Sequence, residues 1–152
     1  MRYLAIDFGR KRLGLAISDE TATFASAYAT RERKGTKTDV LEIVRTLRGL
    51  GAQGIVMGRP RNTEADAIGD SEVAADTFAQ ALQNALIAEG LNLEIERWDE
   101  RFSTREALGQ MREIGLSQKR ARHSNGSDSV DARAAAVILQ GFLDHQKALD
   151  AP

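Results

Sequence analysis

Residues 3–18 read YLAIDFGRKRLGLAIS, two apolar runs separated by a short turn that contains Gly9. The first run, Tyr3-Leu4-Ala5-Ile6, has no polar alternation, so it reads as a strand covered on both faces. The second, from Leu13 to Ser18, has the same character. The glycine-bearing turn between them predicts a β-hairpin of strands 3–8 and 13–18. The apolar lead-in of the first strand ends on Asp7. An ionised carboxylate there costs several kcal/mol unless it is compensated, so Asp7 requires either a partner or a cation.

Outward from this hairpin, the chain alternates between strand and helix patterns. A third strand, rich in Ala and Ser, is expected at 24–31. From Thr36 to Leu50 the apolar residues Val40, Ile43, Val44, Leu47 and Leu50 follow the period of an amphipathic helix that stops at Gly51. Gly54–Gly58 is a short buried strand ended by Arg59-Pro60. Residues 71–89 are helical up to Gly90, and the alternation Leu91, Leu93, Ile95 predicts a strand over 91–98. Ser103–Ile114 reads as a helix opened by a capping box, Ser103 with Glu106. A last helix is expected over 129–148, with Ala134, Ala135 and Ile138 against the sheet. The layout is α/β: a mixed five-stranded sheet, an antiparallel three-strand meander extended by two parallel crossover strands and flanked by helices. With 152 residues it forms one domain, 1–152.

Composition narrows the chemistry. The chain has no cysteine, which excludes disulfides, thiolate metal sites and thiol nucleophiles, and suits a reducing, cytoplasmic setting. No stretch has the roughly 20 apolar residues of a membrane span. Lys and Arg number 21 against 22 Asp and Glu, so overall charge does not announce a polyanion partner. The distribution is more telling. Basic residues gather at Arg10, Lys11 and Arg12, at Arg31, Arg33, Lys34 and Lys37, and at Lys119, Arg120, Arg122 and His123. Each cluster alone is a solvated surface, and only their convergence on one site would make them an interface.

In sheets of this kind, ligands sit beyond the carboxyl ends of parallel strands. Two such ends carry acid: Asp7, and Asp99-Glu100 after the 91–98 strand. The last helix opens on Asp128 and Asp131, three residues apart and therefore near one another on its first turn. Taken alone, Asp128 and Asp131 read as a helix cap, and Glu100 as a surface partner of Arg101 or Arg105. If the last helix packs on the sheet, however, acids from three remote segments share one small space. Several carboxylates cannot all stay ionised there without a cation. A hard ion such as magnesium resolves the conflict, and two such ions suit phosphoryl displacement.

These residues resemble the YqgF (RuvX) family, relatives of the RuvC Holliday-junction resolvase within the ribonuclease H-like superfamily. The resemblance rests on AIDFGRKRLGLAIS at 5–18, IVMGRPRN at 55–62, DERFST at 99–104 and VDARAAAVIL at 130–139, four motifs in order over nearly the whole chain. It implies a ribonuclease H-like fold and catalytic, metal-binding acids at Asp7, Glu100 and Asp131, with Asp128 as a fourth ligand. Asp7 would bridge two ions, Mg2+ or Mn2+, with Glu100 on one and Asp131 on the other. RuvC carries a carboxylate on the strand after the first helix. Here that place reads Met57-Gly58-Arg59, so Glu100 must supply the ligand instead.

The resemblance implies a divalent-metal-dependent nuclease acting on structured nucleic acid, with 5′-end maturation of pre-16S ribosomal RNA as the leading role. Resolution of four-way DNA junctions is the alternative, and would require a homodimer with two active sites. Arg10, Lys11, Arg12, Arg101, Lys119, Arg120 and Arg122 are the expected phosphate contacts. Two readings from other classes remain. Asp7-x-Gly9-x4-Gly14 is similar to the phosphate-binding hairpin of actin-like ATPases, although those need a second lobe that this chain lacks. The chain could also be a nucleic-acid-binding protein that kept the fold and lost catalysis.

Overall fold

The computed structural model describes residues 1–59, 70–99 and 130–150. Five strands form a single sheet: β1 (Tyr3–Phe8), β2 (Arg12–Ser18), β3 (Ala25–Glu32), β4 (Gly54–Arg59) and β5 (Ile95–Asp99). Their order is β3-β2-β1-β4-β5. β1 pairs antiparallel with β2, and β2 with β3, whereas β1–β4 and β4–β5 are parallel. The described helices are α1 (Thr36–Leu50), α2 (Asp70–Ala88) and α3 (Val130–Asp150). This is the expected mixed sheet, with β1 at its centre.

The helices divide between the two faces. Leu4, Ile6, Leu13, Leu15, Ile55 and Met57 pack on one side with Val40, Ile43, Val44 and Leu47 of α1 and Phe78, Leu82 and Leu86 of α2. Ala5, Ala16, Val56 and Trp98 pack on the other with Ala135, Ile138, Leu139, Phe142 and Leu143 of α3. Alternate residues of one strand point to opposite faces. The unbroken apolar run of β1 therefore feeds both cores, which explains why it shows no polar alternation. Small residues, Ala5 and Ala16, lie under α3, and let that helix sit close to the sheet. Its buried stripe runs through Ala132, Ala135, Ile138, Leu139 and Phe142, while Ala134 is only partly covered.

α1 ends as its sequence predicts, with Gly51 left-handed at φ 65 and its amide donating to the Leu47 and Arg48 carbonyls. The strand expected over 91–98 is shorter, starting only at Ile95. Residues 91–94 serve the exit of α2 instead. Gly90 is left-handed at φ 73, Leu91 N–H donates to Leu86 O at 2.9 Å, and Leu93 O accepts from Gln83 Nε2 at 2.9 Å. Leu91 and Leu93 still pack on the α1/α2 core beside Ile95, so the alternation ahead of β5 marks a shared burial rather than a strand. The helix expected over 103–114 lies outside the described residues. No helix among the described residues is long and apolar enough to cross a membrane.

Candidate active site

β1, β4 and β5 run parallel, so their carboxyl ends, at Phe8, Arg59 and Asp99, share one edge of the sheet. Residues paired across an antiparallel register stand on the same face. Ala5 pairs with Ala16, and both lie beneath α3. Asp7 pairs with Gly14, two residues further along, so it stands on that same face. Gly14 is required there by the packing. A Cβ at this position would lie 1.9 Å from the backbone oxygen of Asp131. The first turn of α3 thus rests directly on β2, and Asp131 enters beside the residue pair that carries Asp7.

Arg12 has the parity of Gly14 and shares this face. Its Nε donates to Asp131 Oδ2 at 3.1 Å. Asp131 is the acid of the first turn of α3, where the exposed amide ends of the helix favour negative charge. A cation therefore already stands against this carboxylate. α3 also packs closely over β4, where Gly58 presents no side chain and a Cβ would meet Ile138 Cδ1 at 2.7 Å.

Of the acids predicted from the sequence, Asp7 and Asp131 come to the same end of the sheet, on either side of Gly14. Glu100 and Asp128 lie outside the described residues, as do Arg101, Lys119, Arg120 and Arg122. Two of the three basic clusters are neighbours across the β2–β3 pair. The Arg33 amide donates to Lys11 O at 2.8 Å, which joins the turn carrying Arg10 and Lys11 to the segment carrying Lys34 and Lys37. Arg10, Lys11, Lys34 and Lys37 are all exposed along this joined edge. Lys34 also pairs with Glu42 at 3.2 Å.

One member of that cluster behaves differently from its sequence reading. Arg33 turns inward, and its Nε meets Asp39 Oδ2 at 2.6 Å, with the Asp39 side chain 2% exposed. The available signal was Asp39 itself, a charged residue placed beside Val40 and Ile43 on the buried stripe of α1. A buried acid at such a position needs a cation brought to it.

A family model described as "RuvX: Holliday junction resolvase" matches residues 1–145. The chain belongs to this family of nucleases. It is 38% identical over 148 residues to the "Putative pre-16S rRNA nuclease" of Anaeromyxobacter sp. (strain Fw109-5), covering 97% of this chain and all of that one. Among solved structures, it resembles the yeast mitochondrial Holliday junction resolvase Ydc2, with a TM-score of 0.65 at 13% identity, covering 97% of this chain and 80% of that chain. It is also similar to T. thermophilus RuvC in complex with Holliday junction substrate, with a TM-score of 0.62 at 14% identity, covering 97% and 96%. At these identities the two structures establish the shared ribonuclease H-like fold.

Proposed function

We propose that this chain is a divalent-metal-dependent nuclease, acting as one domain in the cytoplasm, which matures the 5′ end of pre-16S ribosomal RNA. The observation that carries the reading is the contact at Gly14, where α3 touches β2 and two acids from opposite ends of the chain flank one residue. The donor set fits a hard cation. It consists of carboxylate oxygens with no thiolate in the chain, and Asp131 already accepts a hydrogen bond from the cationic guanidinium of Arg12. Asp7 and Asp131 would hold the metal, Mg2+ or Mn2+, together with Glu100 and with Asp128 as a further donor. Bound there, divalent ions would supply Lewis-acid stabilisation of a phosphoryl group in displacement.

The remaining work falls to the chain's own side chains. Helix α3 sets Asp131 at its amino end, where the helix's amide groups favour its charge in addition to the Arg12 guanidinium. β1 fixes Asp7 rigidly, because its neighbours Ala5 and Ile6 are fully buried on opposite faces. Arg10, Lys11, Lys34 and Lys37 offer a basic edge next to these acids for the sugar–phosphate backbone. Each phosphate neutralised this way steepens the dependence of log affinity on log salt by about 0.7–0.9. The ribosomal RNA substrate is favoured by the 38% identity, over nearly the full length of both chains, to a relative carrying that name. The family description favours the second reading, cleavage of four-way DNA junctions by a homodimer.

A labelled pre-16S fragment and a synthetic four-way junction, incubated side by side with magnesium and with manganese, separate these readings. Cleavage of the RNA at one defined position, lost in Asp7→Asn while binding is retained, is the expected result. Paired symmetric cuts in the junction alone would replace the RNA assignment. Unchanged turnover in Asp7→Asn would remove the metal-site assignment altogether. Metal-dependent ATP hydrolysis without nucleic acid would revive the hairpin reading, and absence of any divalent binding would point to a catalytically inert binding protein.

A further inference from the structure

We infer that Arg33, neutralised by Asp39, is a positioning residue that locks the β1–β2 turn and thereby sets Asp7 and Arg12 in place. The inference rests on the metal-nuclease reading for what the turn is used for, but the lock itself stands on local geometry. Arg33 follows directly on β3, yet almost every bond it makes leads to the active-site turn or to the start of α1. Its backbone amide donates to Lys11 O at 2.8 Å and its Nη1 to Gly9 O at 3.3 Å. Two carbonyls of the three-residue turn, those of Gly9 and Lys11, are thus held by one residue, from its main chain and from its side chain. The turn is tight as well: a Cβ on Gly9 would lie 2.5 Å from Arg12 O.

The other side of the guanidinium is spent on α1. Nε reaches Asp39 Oδ2 at 2.6 Å and Nη2 reaches Thr36 Oγ1 at 3.3 Å, while Asp39 Oδ1 accepts the Lys34 amide at 3.0 Å. The guanidinium carbon also sits 4.9 Å from the Phe8 ring centre and 5.3 Å from that of Phe78. Phe8 is the residue after Asp7 and faces the opposite side of the sheet. Arg33 therefore grips the end of β1 through Phe8 and the following turn through Gly9 and Lys11. Asp7 stands immediately before this grip, and Arg12 immediately after it.

An ion pair is a poor way to fill a core, since apolar residues of similar volume serve stability as well or better. Its distinguishing ability is geometric. A planar fork with five donors can bond one carboxylate, one hydroxyl and one carbonyl at fixed angles, which neither an alkyl chain nor a lysine reproduces. The pair therefore specifies the turn rather than merely occupying space. Groups that orient metal-binding side chains without touching the metal commonly change affinity or activity by about 10- to 100-fold when removed.

The test uses the full chain with the double substitution Arg33→Met/Asp39→Leu, which removes the pair without leaving a buried charge. Three quantities are read: hydrogen exchange of the amides of residues 9–12, manganese affinity by calorimetry, and kcat and KM on a nucleic acid that the unmodified protein cuts. The expected result is a folded protein in which exchange at 9–12 and the manganese Kd both rise about tenfold, with kcat falling more than KM changes. Arg33→Lys, which keeps the charge and loses the fork, should recover the fold but not the manganese affinity. It carries the same test if the double variant does not fold. A folded variant with unmodified exchange and metal affinity overturns the positioning role. If the unmodified protein binds no manganese, the metal-nuclease reading fails, and exchange at residues 9–12 still decides whether Arg33 locks the turn.

Discussion

The Nε of Arg12 lies 3.1 Å from Oδ2 of Asp131, so residues 119 positions apart in the chain share one ion pair at the mouth of the proposed metal site. Both side chains are more than a third exposed, and a pair of this kind is worth only about 0–1 kcal/mol to folding. Its significance is competition. A carboxylate oxygen committed to a guanidinium is less available to a divalent ion, and a guanidinium released by that ion becomes available to a phosphate. Metal and nucleic acid should then assist each other's binding, because each draws one partner out of the pair.

Arg12→Gln tests this coupling. Manganese affinity should rise by a few-fold, at most about fivefold, which is the pair's upper worth of roughly 1 kcal/mol. Nucleic-acid affinity should fall, and its salt slope should flatten by about one contact. The melting temperature should hardly move. Calorimetry with manganese and fluorescence anisotropy across a salt series measure both effects. Manganese binding that weakens in Arg12→Gln would show that the guanidinium supports the site rather than competing for it.

Two glycines that face α3 should respond differently to the same added methyl group. At Gly14 the new Cβ would meet the backbone of Asp131 at 1.9 Å, and neither a helix start nor a central strand can give way by that amount. Gly14→Ala should therefore cost about 1–3 kcal/mol or more and displace Asp131. At Gly58 the nearest atom is Ile138 Cδ1 at 2.7 Å, the end of a side chain that can change rotamer. Gly58→Ala should cost less than about 1.5 kcal/mol. Urea midpoints give the order, and manganese affinity should be lost in the first variant and kept in the second. Equal destabilisation by both would contradict the close approach at Gly14.

The contrast between those glycines also shows how far the sequence could be read. The hairpin, the central place of β1 and the α1 stripe were legible because apolar spacing is a direct consequence of burial on two faces. Asp7 stood out because an acid contradicts its own lead-in, and it pairs with the glycine that Asp131 meets. The limits of β5 were not, because Leu91 and Leu93 satisfy the same core while their backbone completes the end of α2. Arg33 was misread as solvated for a related reason: a basic cluster has no internal mark for the one member that turns inward, and only Asp39 on the buried stripe hinted at it. The role of Gly14 was beyond sequence reasoning, since it depends on a contact with residue 131 that no local pattern encodes.

The turn from β2 to β3 supplies a pH-dependent test of the fold. Asp19 Oδ1 accepts the amides of Thr23 at 2.8 Å and Phe24 at 2.9 Å, and its other oxygen accepts the Thr21 hydroxyl. These bonds, that of Thr21 foremost, hold the Asp19 carboxyl well below its ordinary value of 3.8. α3 clasps the same turn through Gln140, which donates to Thr23 O at 3.0 Å and accepts from Ala25 N at 2.9 Å. A carboxyl whose folded value is depressed stabilises the fold at pH above its unfolded value. That contribution fades as pH falls from there toward the depressed folded value. Asp19→Asn should accordingly lower the urea midpoint relative to the unmodified protein near about pH 6, and the gap should narrow as pH is taken down to about 2. Manganese affinity should be the same in both proteins, since the turn lies at the opposite end of β2 from Arg12. A midpoint difference that stays constant over this range would mean that the Asp19 carboxylate does not hold the turn through its charge.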